Sequence, residues 1–212
     1  MRLFKHWRYG LVLALVLGIV VVLALDSRSS RTSPAFDLPG FGHQKGRPDA
    51  AIVIIEFTDF GCSACAQFAR QTLPLIQREW IATGRARMRM IPFDALKTGR
   101  SAAQAAECAA RQDAFWSMHD LLFARHKEWL GRRGQREIFH TWAAELGLNV
   151  AQFRACYDSD PGMKWLERNS ELARMHGVPG TPAFVVNGQP LVGALPYPAF
   201  ANALANATGT PK

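Results

Sequence analysis

Phe60-Gly61-Cys62-Ser63-Ala64-Cys65 is the stretch that decides how the rest of the chain reads. It follows Ala51-Ile52-Val53-Ile54-Ile55-Glu56-Phe57, an apolar, β-branched run with the length of a buried strand. It precedes Ala66-Gln67-Phe68-Ala69-Arg70-Gln71-Thr72-Leu73, which has the composition of a helix. A C-x-x-C at a strand-to-helix junction makes a cysteine reactive. The helix start offers unpaired N–H groups and the positive end of the macrodipole, so a thiolate there is stabilised. Cys62, at the helix mouth, is the expected attacking thiol. Cys65, one turn further in, is placed to close a disulfide and to resolve a mixed one.

Two plainer readings compete. Half of a zinc site would need a second close ligand pair. The remaining cysteines, Cys108 and Cys156, are singletons, and no His lies near the first pair. A purely structural disulfide would have to close a tight four-residue loop. Redox chemistry is the stronger reading, and no metal or cofactor is assigned.

Upstream, Met1 to Tyr9 is short and basic, and Gly10 to Leu25 is apolar and uncharged. The positive flank stays in the cytoplasm, so the remainder is expected outside it. Residues 1–25 read as a transmembrane anchor in the inner membrane. The alternative is a signal segment cleaved at a weak small-residue site near Val22-Leu23-Ala24. Residues 26–45, rich in Ser, Arg, Pro and Gly, read as a linker, and residues 46–212 as the folded domain. The net charge is +8, but Arg2, Lys5, Arg8, Arg28 and Arg31 flank the apolar run with only Asp26 against them, leaving 20 basic and 16 acidic residues elsewhere. That balance gives a mildly basic surface, and no nucleic-acid-reading motif accompanies it. With 49% hydrophobic residues the chain can bury a substantial core.

Downstream, one helix is expected from Ser63 to about Ala82, kinked at Pro74 and ended by Gly84. Arg85 to Phe93 alternates basic and apolar residues, the period of a half-exposed strand whose Arg stripe reads as a solvated face. From about 98 to 176 the pattern is helical, and Asp160-Pro161 marks the start of the last helix of that stretch. In an exported chain the spare Cys108 and Cys156 are candidates for a structural disulfide; two separate buried thiols are the alternative. His119 and His140 show no ligand spacing and are given no metal role. Ala183 to Val186 reads as a strand, Asn187-Gly188 as a hairpin turn, and Pro198 to Ala207 as a final helix.

From Gly46 to Ala207 the chain resembles the DsbA-like thiol-disulfide oxidoreductases of the thioredoxin superfamily. The resemblance rests on separated pieces in order: Gly46-Arg47-Pro48-Asp49-Ala50, Glu56 to Cys65, the Ala-rich Cys108 helix, Phe115 to Phe123, and Val178-Pro179-Gly180-Thr181-Pro182-Ala183-Phe184. It implies an α/β thioredoxin fold with a helical insertion at about 98–176, preceded here by the N-terminal transmembrane or signal helix. By position, Cys62 resembles the exposed nucleophile and Cys65 its buried partner. Thr181-Pro182 resembles the loop with the cis proline, which would present backbone to a substrate strand. Glu56 resembles a buried acid able to shuttle the Cys65 proton. Ser63-Ala64 departs from the Pro-His dipeptide of the strongly oxidising members, which implies a less stabilised thiolate and a less oxidising disulfide. The implied partners are exported proteins with thiols or disulfides and a membrane redox partner. The direction of electron flow stays open between oxidase and reductase or isomerase. A non-enzymatic chaperone or binding module of the same fold is the further alternative.

Overall fold

The computed structural model describes residues 38, 40–159 and 163–208. The expected anchor, most of the linker and the Asp160-Pro161 start signal lie outside them. Among the described residues no helix is long and apolar enough to cross a membrane.

The apolar run before Cys62 forms the central strand. Strands β1 (His43–Lys45), β2 (Ile52–Thr58), β3 (Ala86–Pro92), β4 (Ala183–Val186) and β5 (Gln189–Val192) make one sheet in the order β1-β3-β2-β4-β5. β2 runs parallel to β3 and antiparallel to β4. Strand alternation then sorts the side chains. Ile52 and Ile54, with Met88, Phe184 and Val186, face one layer, against Phe68, Leu73, Ile76, Phe200 and Leu204. Ile55 and Phe57, with Ile91 and Ala183, face the other, against Leu172 and Ala173. The β4–β5 hairpin turns on Asn187 and Gly188, both at positive φ (46° and 86°), which Asn and Gly tolerate best.

The helix after Cys62 is not continuous to Ala82. α1 (Ser63–Gln71) stops, α2 (Leu73–Ile76) restarts with Pro74 in its first turn, and one π turn follows over Gln77–Ile81. Pro74 has no N–H to give the carbonyl four residues back, and its ring crowds that turn. α3 (Arg100–Ala110), α4 (Phe115–Ala124), α5 (His126–Trp129), α6 (Gln135–Glu145) and α7 (Val150–Ser159) form the inserted bundle around Leu122, Phe123, Trp129, Phe139 and Phe153. α8 (Lys164–Met175), expected from the sequence within that bundle, is shared between bundle and sheet. Its first turn does touch the bundle through Leu166, but its second half covers the sheet, and Asn169 Nδ2 donates to the Pro92 carbonyl at 2.9 Å. α9 (Tyr197–Thr208) packs beside α1 and α2.

His43–Lys45, assigned to the linker 26–45, is a strand pairing antiparallel with β3. Three residues are too few to show a period; the partner edge makes the strand. The Arg stripe of β3 is not simply solvated, because Arg89 donates to the Phe41 carbonyl at 3.0 Å and to Gln44 Oε1 at 2.9 Å. It thereby clamps the segment on both sides of β1's first residue.

Candidate active site

The active-site loop is a tight turn between β2 and α1. Asp59 closes it: its carbonyl accepts the Cys62 N–H at 3.0 Å, and its Oδ1 accepts the Gly61 N–H at 2.7 Å. Its Oδ2 accepts the Leu96 N–H at 2.7 Å, which binds the 94–99 loop to the same turn. The approach is close enough that a Cβ on Gly99 would run into Asp59 Oδ1 and lie 2.5 Å from the Gly61 nitrogen. From the other side, His126 Nε2 lies 2.9 Å from the Phe60 carbonyl, so that nitrogen carries the proton and donates. The Phe60 ring stacks on Phe123 at 5.0 Å. The helical insertion therefore seats the loop.

This turn delivers Cys62 as the N-cap of α1, where its sulfur accepts the Cys65 N–H at 3.3 Å. The Cys62 thiol can also donate to the Thr181 carbonyl at 3.4 Å. Cys62 is 5% exposed and Cys65 fully buried, and both are free thiols. Their titrations are pushed in opposite directions. A hydrogen bond from the Cys65 thiol, followed by the Thr181 hydroxyl and the helix-start N–H groups of Cys65 and Ala64, brings Cys62 down to about 6 against the opposing effect of burial. Burial first, then the neighbouring Cys62, pushes the Cys65 thiol far up. The site thus presents one thiolate at neutral pH and one thiol that must lose a proton before it can react.

The Thr181–Pro182 peptide is cis. Pro182 is buried at the start of β4 and Thr181 half-buried beside Cys62. Glu56 lies on β2, 1% exposed, with burial raising its carboxyl to about 8. Cys62, Cys65, Thr181, Pro182 and Glu56 are thus brought to one end of the sheet. Cys108 and Cys156 are not part of this site; they are joined by a disulfide that ties α3 to α7. His119 and His140 are buried among aromatic rings, and among the described residues no group of His, Cys, Asp or Glu is arranged to hold a metal.

Three residues of this neighbourhood were not singled out from the sequence: Thr58, Asp59 and His126. Asp59 carried a usable signal, since Asp two residues before Gly is a common side-chain-capped turn. His126 carried none, because its contact spans 66 residues of sequence.

A dithiol at a helix start, faced by a cis-proline loop on a five-stranded sheet, defines the thioredoxin-fold class. The Thioredoxin family model matches residues 40–206, and the chain belongs to that family. It is 33% identical over 156 residues to a Na(+)/H(+) antiporter NhaA of Herminiimonas arsenicoxydans, covering 74% of this chain and 24% of that protein. The chain therefore spans about a quarter of that antiporter's length. It is 25% identical over 189 residues to a probable disulfide bond formation protein D of Bacillus anthracis, covering 85% of each. Among solved structures, Wolbachia pipientis alpha-DsbA1 superposes with a TM-score of 0.72 at 23% identity, over 81% of this chain and 92% of that one. The two share the α/β thioredoxin fold with its helical insertion.

Proposed function

We propose that the protein is an extracytoplasmic thiol-disulfide oxidoreductase that forms or exchanges disulfides in exported proteins. The observation that carries the reading is the Cys62 sulfur, capping α1 at 3.3 Å from the Cys65 N–H and 3.4 Å from the Thr181 carbonyl of the cis-proline loop. In the oxidising direction a substrate thiolate attacks Cys62 of the Cys62–Cys65 disulfide. The Cys65 sulfur leaves with the bonding electrons and takes a proton. A second substrate thiolate then displaces Cys62, so the substrate gains a disulfide and the protein keeps two thiols. In the reducing direction Cys62 attacks a substrate disulfide, and Cys65 resolves the mixed disulfide. Thr181 and Pro182 present backbone to the substrate strand, and Glu56 exchanges the Cys65 proton. Residues 10–25 hold the domain at the inner membrane, where a membrane redox partner resets the dithiol.

The Ser63-Ala64 dipeptide favours a second reading, a reductase or isomerase, because neither side chain brings a positive charge to the thiolate. Equilibrating the purified full-length protein against glutathione separates the two. A reduction potential near −120 mV supports the disulfide donor, and one near −270 mV supports the reductase. Absence of any exchange-active pair leaves only the binding-module alternative.

A further inference from the structure

Glu56 and Thr58 are two apart on β2 and so point to the same face, the one covered by α1. α1 sends Cys65 down onto that face. The three side chains form a buried polar cluster: Glu56 is 1% exposed, and Thr58 and Cys65 are not exposed at all. Their walls are apolar, since the residues paired with Glu56 on the adjoining strands are Met90 and Phe184. Glu56 Oε2 and Thr58 Oγ1 are both shielded from solvent and have no hydrogen-bond partner among the described residues. An unpaired buried hydroxyl costs about 1–3 kcal/mol, and Val would fill the same volume without that cost. Thr58 therefore needs a reason. The polar groups buried on the same side of the sheet as its hydroxyl are the Glu56 carboxyl, two residues earlier on the strand, and the Cys65 thiol, and the hydroxyl favours ionisation of both.

We infer that the Thr58 hydroxyl relays the proton between the Cys65 thiol and the Glu56 carboxylate. This rests on the thiol-disulfide exchange reading of the site. When a substrate is held on Cys62 as a mixed disulfide, the Thr58 oxygen accepts the Cys65 proton while its own hydroxyl proton passes to Glu56 Oε2. The freed electron pair on the Cys65 sulfur forms the bond to Cys62 Sγ. The Cys62–substrate bond breaks, and its electrons leave on the substrate sulfur. Thr58 ends unchanged, and the reverse reaction returns the proton along the same path. Thr58 thus acts on the second step of exchange and not on the first.

The test is acid-quenched, mass-resolved kinetics of the reduced full-length protein with glutathione disulfide. Attack by Cys62 appears as the glutathionylated protein, and release by Cys65 as its decay. Thr58→Val is expected to leave the first step and the Cys62 titration unchanged and to slow the second at least tenfold, within the range of positioned proton transfer. Thr58→Ser should restore it. On a Glu56→Gln background, Thr58→Val should cost nothing further, because the path is already cut. An unslowed second step in Thr58→Val, or full additivity with Glu56→Gln, would overturn the relay. If Thr58→Val folds poorly, the wild-type protein in mixtures of light and heavy water still decides. Two protons in flight bow the rate of the second step against deuterium fraction, and a straight line rules the relay out. The wild type's own first step keeps the two readings apart: if no glutathionylated protein forms at all, it is the exchange reading that has failed.

Discussion

Cys62 and Cys65 are one helical turn apart and differ in character because only one of them reaches the opening of the site. Cys62 collects donors from Cys65, Thr181 and the helix start, whereas Cys65 is sealed under α1. Alkylation by iodoacetamide should therefore modify Cys62 alone, with a rate rising through a midpoint near pH 6. Cys65→Ala should move that midpoint upward, since the Cys65 hydrogen bond is the largest lowering influence. A midpoint near 8.5, the ordinary thiol value, would sink this account. Glu56 has the reverse linkage. Its carboxyl titrates near 8 in the fold against 4.5 when free, so between those values the native state holds a proton that the unfolded chain has lost. Its contribution is thus most favourable below 4.5 and is eroded as pH rises toward 8, by up to about 1.4 kcal/mol per pH unit. Glu56→Gln should gain stability over wild type across that window in urea unfolding of the reduced protein, with the difference levelling off above pH 8. Parallel stability curves would mean that the carboxyl is not desolvated. The two cysteines were legible in the sequence through their motif, and Glu56 through its place in an apolar strand run, although its role as a buried acid came only from the resemblance. Thr58 and His126 were not, since their contacts depend on how α1 and the insertion settle on the sheet.

Among the elements, α3 and α7 are tied covalently by the disulfide that closes 48 residues of the bundle. Gln104, on α3, reaches across to the Cys156 carbonyl at 3.4 Å beside it. Chain-entropy reasoning assigns such a loop roughly 4 kcal/mol. The Cys108→Ala/Cys156→Ala double variant should lose stability of that order in urea unfolding, with the Cys62 titration unmoved, because neither cysteine touches the active-site turn. An unchanged unfolding midpoint would show that helix packing alone carries the bundle. Element boundaries were legible where chemistry punctuates them. Asn187-Gly188 marked its hairpin, and Pro74 marked the break between α1 and α2, although the break was expected as a bend. The division of labour between α7 and α8 was not legible, because both are amphipathic helices and only the sheet they meet distinguishes them.

For the whole molecule, the strand order β1-β3-β2-β4-β5 is a property no local period encodes. The resemblance implied the fold and required the cysteine motif and the Thr181-Pro182 loop to meet although more than a hundred residues separate them, but it gave no place to β1, which reads as linker in the sequence. β1 has a further consequence. It closes the outer edge of β3, and its side chains reach the helices as well: His43 stacks on Phe115 at 3.6 Å, and Lys45 lies 4.2 Å from the Trp116 ring centre. A fragment started at Gly46, where the sequence alone would draw the boundary, would leave β3 with a row of open N–H and C=O groups. Such an edge invites pairing with a second chain. Light scattering should show concentration-dependent self-association for residues 46–212 and none for residues 38–212, and equal behaviour of the two would mean that the edge is protected by something other than β1. The role this predicts for these three residues is a guard against edge-to-edge polymerisation, apart from the chemistry of the cysteines.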